Sequence, residues 1–160
     1  MKYICLFVFA ILLSACATPY QENGLTGGFT ETQLDVNVFK VTFRGNGYTN
    51  RERATDFALL RSAELALEHG YSYFAIVDSG QYSTNSTYTT PSTTYSSASA
   101  YGNTAYGSST TYGGQTYLIS KPNATNTIIC FKEKPQGFSY NAEFIRKSLR
   151  AKYELDKSKK

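Results

Sequence analysis

From Val36 to Arg44 the chain alternates, with Phe39, Val41 and Phe43 on one side and Lys40, Thr42 and Arg44 on the other. A period of two is that of a strand with one buried face. Gly45-Asn46-Gly47 breaks the pattern, and Thr49-Asn50-Arg51-Glu52 fits a capping box opening a helix. Good helix formers then run uninterrupted to Gly70, which stands where a left-handed residue would close the helix, so the spacing predicts a helix over 50–69. Leu59, Leu60, Ala63, Ala66 and Leu67 form one apolar face, while Ala54, Phe57, Ala58 and Leu65 form another stripe. Such a helix needs cover on more than one side. Tyr71 to Val77 is almost continuously apolar and aromatic, which predicts a strand buried on both faces. If this strand pairs in parallel with the first, the crossover is right-handed.

The next stretch changes character. Residues 79–120 carry no charged side chain, and tyrosines recur about every six positions at Tyr82, Tyr88, Tyr95, Tyr101, Tyr106, Tyr112 and Tyr117. Half of residues 79–116 are Ser or Thr, so few aliphatic side chains remain to offset the entropy of ordering. The favoured expectation for this low-complexity insertion, 79–115, is disorder. Its rival is a Tyr-studded hairpin turning near Ala98 to Asn103, supported by the β-propensity of Tyr and Thr. Lys121-Pro122-Asn123 then reads as a turn into a strand at Thr127–Glu133, ended by Pro135-Gln136-Gly137. Asn141 is a fitting cap for a last helix presenting Ala142, Ile145, Leu149 and Tyr153, able to cover the first helix or the back of the sheet. The fold class expected is therefore α+β. It is a small single domain over 34–155, with a strand-helix-strand core, one or two further strands, a C-terminal helix and the insertion within it.

Ahead of the domain, Lys2 precedes an apolar run from Ile4 to Leu13, too short to span a bilayer. Residues 1–15 thus have the layout of a signal peptide. Leu13-Ser14-Ala15-Cys16 resembles the lipobox of bacterial lipoprotein precursors. The resemblance implies cleavage before Cys16 and acylation of that residue, with membrane lipid as its partner. Two or three acyl chains make attachment effectively permanent. Ala17 stands where an Asp would signal inner-membrane retention in enteric-type lipoproteins, which implies the periplasmic face of the outer membrane. Residues 16–33 are polar and rich in turn formers, the composition of a lipidated flexible tether.

Without Lys2 the side chains carry +3. Residues 146–160 hold seven basic groups against Glu154 and Asp156, which leaves 16–145 net negative. The basic tail, 156–160, suits a solvated helix end better than anionic lipid head groups. With Cys5 removed and Cys16 blocked, Cys130 is the remaining thiol and reads as a small buried hydrophobe.

Little here suggests catalysis. His69 is the only histidine, placed at a helix end, and no nucleophile with a base or cluster with ligand spacing occurs. No metal, cofactor or nucleic-acid partner is expected. Glu52, Asp56, Glu64 and Glu68 interleave with Arg51, Arg53 and Arg61, and i,i+3 pairs such as Arg53 with Asp56 account for them as surface charge balancing. The Gly45–Gly47 segment lacks the remaining glycines of a phosphate-binding loop and reads as a structural turn. The tyrosines of 79–120 offer flat amphipathic rings suited to glycan or protein contact, or serve as a spacer.

Phe43-Arg44-Gly45-Asn46-Gly47-Tyr48-Thr49, Ala58-Leu59-Leu60-Arg61-Ser62-Ala63-Glu64, His69-Gly70-Tyr71 with Tyr73-Phe74, and Cys130-Phe131-Lys132-Glu133-Lys134-Pro135 together resemble a family of uncharacterised proteobacterial envelope lipoproteins. This implies location and a shared fold, with no reaction assigned. The core also looks like small envelope lipoproteins such as the outer-membrane sensor of the Rcs phosphorelay, although that type relies on disulfides this chain cannot form internally. The function expected is a non-enzymatic binding or structural module of the envelope, with an envelope protein or polymer as partner. The alternatives are an envelope-stress sensor and, more weakly, a cell-wall- or lipid-acting enzyme, which burial of Asp56 or Glu64 in a pocket beside a polar partner would favour.

Overall fold

The structure, a computed structural model, describes residues 17–156. The signal peptide, the lipobox residues Leu13, Ser14, Ala15 and Cys16, and residues 157–160 of the basic tail lie outside the described residues. The chain divides into two compact units, the second being Asn85–Ile119 and the first the rest.

Along the chain the elements are β1 (Gly28–Asp35), β2 (Val38–Arg44), α1 (Arg51–Glu68), β3 (Tyr73–Thr89), β4 (Ser92–Tyr101), β5 (Thr104–Gly113), β6 (Thr116–Phe131), β7 (Tyr140–Asn141) and α2 (Ala142–Lys152). One sheet has the order β1-β2-β6-β3-β7 with antiparallel neighbours, and β4 and β5 form a second. The expected small α+β domain with a C-terminal helix is present, with more strands than the one or two anticipated. β2 and β3 run parallel but do not pair. β6 lies between them, so the strand-helix-strand unit is split by a strand from the far end of the chain.

Phe39, Val41 and Phe43 are fully buried and stand opposite Ile128, Asn126 and Ala124 of β6. They line one sheet face, over which α1 and α2 pack. The other face is polar and covered by neither helix cluster: Lys40 and Arg44 are exposed on it, Thr42 and Asn123 are buried, and the Thr42 and Thr125 hydroxyls bond across it at 2.9 Å. This one-sided cover corrects the expectation for Tyr71–Val77. Only Phe74 there is fully buried, and Val77 is 62% exposed.

α1 starts where its cap dictates, although the capping residue is Asn50 rather than Thr49: Asn50 Oδ1 accepts from the Arg53 N–H at 2.7 Å. At the other end Gly70 has φ +78, its N–H bonds the Leu67 carbonyl and the Tyr71 N–H bonds that of Ala66. That pair of bonds is a Schellman motif. Both apolar stripes are covered, since α1 packs on α2 as well as on β2, with Ala142 and Leu149 of α2 buried and Asn141 as its cap.

Two further expectations change. Lys121-Pro122-Asn123 is not a turn but part of β6, and pairing with β2 ends at Arg44 opposite Asn123, so Pro122 has no partner there awaiting its missing N–H. Its carbonyl accepts from the Gly45 N–H at 2.8 Å.

Residues 16–33 do not form a tether as far as they are described. β1 starts at Gly28, and Thr18 is completely buried. The Thr18 hydroxyl donates to the Thr26 carbonyl at 2.7 Å, while the Asn46 N–H and the Thr49 hydroxyl donate to it at 2.8 and 3.0 Å. Tyr20 packs its ring on Phe29 and Phe57. Gly27 and Gly28, at φ +96 and +133, let the chain reverse there, where a Cβ would strike backbone carbonyls.

Candidate functional site

The second unit answers the question left by composition, because 79–115 is ordered. β4 and β5 pair over ten consecutive positions without a bulge, from Ser92 opposite Gly113 to Tyr101 opposite Thr104. Gly102-Asn103 closes the hairpin, with φ +61 at Gly102 alone, the pattern of a type II′ turn. The rival expectation, a tyrosine hairpin turning near Ala98 to Asn103, is the one observed.

This register sorts the side chains by face. Successive strand residues point to opposite sides. Tyr95, Tyr101, Tyr106 and Tyr112 therefore share one face, together with Thr93, Ser97, Ser99, Thr104, Ser108 and Thr110. The reverse face holds only Ser, Thr, Ala and Gly. The four tyrosines are 64–88% exposed. Tyr95 and Tyr112, diagonal neighbours, meet edge-on with ring centroids 6.1 Å apart, and an open depression of about 470 Å³ is lined by both along with Ser97, Ser108 and Thr110. Hydroxyls bond across the strands at 2.9 Å in Thr94 with Thr111 and Ser97 with Ser108. The result is a neutral surface of flat rings set among hydroxyl groups.

The carboxylates of α1 are arranged differently from the expected surface pairs. Glu64 is largely buried, accepts a hydrogen bond from the Tyr20 hydroxyl and holds Arg150 of α2 at 2.8 Å. Asp56 accepts from the Tyr153 hydroxyl at 2.8 Å and holds Lys152 at 2.7 Å. Each carboxylate thus grips one phenol and one cation brought by another segment. Burial, then the neighbouring Glu64, pushes the Tyr20 phenol well above the usual tyrosine range. Burial, then the bond to Asp56, pushes that of Tyr153 up to about 12. Arg53, expected to pair with Asp56, instead lies over the Phe57 and Tyr153 rings and donates to the Thr18 carbonyl. Arg61 joins Glu31 of β1 to Glu68. Glu64 does border a shallow depression of about 230 Å³, with Leu67, Glu68 and Arg146. Its oxygens are nonetheless taken by Tyr20 and Arg150, and what the arrangement does chemically is clamp β1, α1 and α2 together.

The other singled-out residues have plain surroundings. Around Gly45–Gly47, the Asn46 N–H is engaged by the Thr18 and Thr49 hydroxyls and a Cβ on Gly45 would meet Thr49 and Pro122 at under 3 Å, as in a tight packed turn. His69 caps α1 with its ring 4.6 Å from that of Phe39. Cys130 is buried, and burial lifts its thiol to about 12. Among the described residues no group of His, Cys, Asp and Glu is placed to hold a metal ion, and no helix is long and apolar enough to cross a membrane. Comparison with protein-family models, curated proteins and solved structures returns no match.

Sequence reasoning noted the tyrosine interval but missed its consequence. Six is an even number, so Tyr95 and Tyr101, like Tyr106 and Tyr112, must share a face in any extended conformation.

Proposed function

We propose that the protein is a lipid-anchored lipoprotein of the periplasmic face of the outer membrane, acting as a non-enzymatic binding module whose contact surface is the tyrosine face of the β4–β5 hairpin. The observation that carries this reading is the segregation of four exposed tyrosines to one side of an uncharged hairpin. Tyrosine supplies large contact area at low conformational cost, with a hydroxyl for hydrogen bonding, which suits an envelope protein or polymer. The full engagement of Glu64 and Asp56 by their own chain supports a binding role over an enzymatic one.

The Leu-Ser-Ala-Cys motif and the resemblance to proteobacterial envelope lipoproteins support the anchor. Acylation at Cys16 leaves only Ala17 before the buried Thr18. The first unit would then be held close against the bilayer rather than on a long leash.

Crosslinked pull-down from envelopes tests the binding surface. The native chain should recover an envelope protein or polymer that the variant with Tyr95, Tyr101, Tyr106 and Tyr112 all changed to Ser does not. Equal recovery by both refutes the assignment. Mass spectrometry of the membrane-extracted protein tests the anchor separately, and an unmodified Cys16 thiol would overturn it.

A further inference from the structure

The β4–β5 sheet has two strands, so each uses one edge for its partner and leaves the other edge free. An open edge is a row of unpaired backbone donors and acceptors, which proteins usually protect with Lys, Pro or bulges. None of these occurs between Ser92 and Gly113. Every side chain of both strands is exposed, leaving the hairpin without a core, and a lone two-stranded hairpin is marginal in water. Such a hairpin is incomplete without further strands.

We propose that β5 pairs antiparallel with β5 of a second copy of this chain, centred on Ser109. Two features of the strand select a second copy. With no charge from 79 to 120, a charged partner finds nothing to pair with, whereas a neutral edge meets its equal. The tyrosines are also symmetric about Ser109: Tyr106 lies three residues before it and Tyr112 three after. A two-fold axis at Ser109 therefore sets Tyr106 of each copy opposite Tyr112 of the other, on the same face, over the nine residues from Ala105 to Gly113. Aromatic cross-strand pairs of this kind favour one register. An interface of this sort is isologous and closes as a dimer. Its edge of about 30 Å buries less than the roughly 800 Å² per partner of a stable complex, so the pairing is reversible. The inference goes beyond the binding role above and does not depend on the anchor.

Oxidative trapping on the full chain in detergent tests it. In the S109C variant the two introduced thiols meet at the axis, within disulfide reach. A disulfide-linked dimer mapped by peptide mass spectrometry to residue 109 is expected, and S148C, on the exposed side of α2, should give none above background. Adding S108K with T110K places lysines opposite each other across the axis and should abolish trapping, while S108K with T110E sets opposite charges face to face and should restore it. Trapping at residue 109 no better than at residue 148, or trapping indifferent to the two charge pairs, overturns the proposal.

Discussion

Replacing Thr18 by Val should unfold the first unit more easily, and the size of the effect follows from three hydrogen bonds. The side chain is completely buried, and Val keeps its shape, so no cavity opens. What is lost is a hydroxyl that donates to the Thr26 carbonyl and accepts from the Asn46 N–H and the Thr49 hydroxyl. Each such bond contributes about 0.5–1.5 kcal/mol net, and an orphaned buried group costs about 1–3 kcal/mol. Partial replacements exist: the Asn46 N–H keeps Thr49 Oγ1 at 3.2 Å, the Thr49 hydroxyl keeps Asn46 Oδ1 at 3.0 Å, and Thr26 is exposed to water. The expected cost is therefore about 2 kcal/mol. With a urea slope of about 2 kcal/mol per molar for a domain of this size, the midpoint should fall by about 1 M. Circular dichroism at the helix band reads α1 and α2, and the Asn46 amide should exchange faster. A shift no larger than that of Glu22→Gln, at an exposed position, would refute the claim that residues 17–27 belong to the folded unit.

Two glycines with positive φ should respond unequally to alanine. Gly70→Ala meets open space and carries only the left-handed backbone penalty, about 1–2 kcal/mol, whereas a Cβ on Gly28 lies 2.5 Å from the Gln21 and Glu22 carbonyls and should cost clearly more. Equal losses in urea melts would contradict that geometry. Cys130 gives a pH dependence. Its folded pKa, about 12, lies above the ordinary 9.0, so the neutral thiol's contribution is fully present below pH 9 and is lost as pH climbs toward 12. Stability measured across that window should decline less steeply in Cys130→Ala, and native Cys130 should resist thiol reagents at pH 8 until urea is added.

The parts legible in the sequence were those whose partners are local. Asn50, Gly70 and Asn141 act on backbone groups a few residues away, so both helices could be placed from cap and period alone. β2 was legible because its alternation records a sheet with one covered side. What was not legible depends on distant partners. Pro122 looks like a turn until β2 is seen to stop at Arg44, and Thr18 looks like tether until the Asn46–Thr49 turn arrives to bond it. The clamps at Glu64 and Asp56 join residues from 44 to 97 positions apart, beyond the reach of any i,i+3 rule. For 79–115, a composition poor in aliphatic groups argued for disorder, yet the six-residue intervals already put Tyr95 with Tyr101 and Tyr106 with Tyr112, and only the hairpin register was needed to join the two pairs on one face.

That spacing is the strongest argument that the hairpin is shaped by what it meets. Both apolar clusters of the first unit, their partly buried margins included, are built from residues outside 79–120, so none of the four tyrosines of β4 and β5 enters them. Core packing therefore places no demand on where these tyrosines fall. Strand propensity does not either, since Thr serves as well as Tyr in a pleated strand and is abundant here. Tyrosines placed without regard to face would divide between the two sides, whereas the one-sided placement brings Tyr95 and Tyr112 edge-on and still leaves all four rings exposed. Four on one face and none on the other is the arrangement expected of the contact surface proposed above. The charged residues tell the complementary story: Glu64, Asp56, Arg61 and Arg150 are spent on internal clamps in the first unit, while the uncharged second unit leaves hydroxyls, rings and strand edges available for contact.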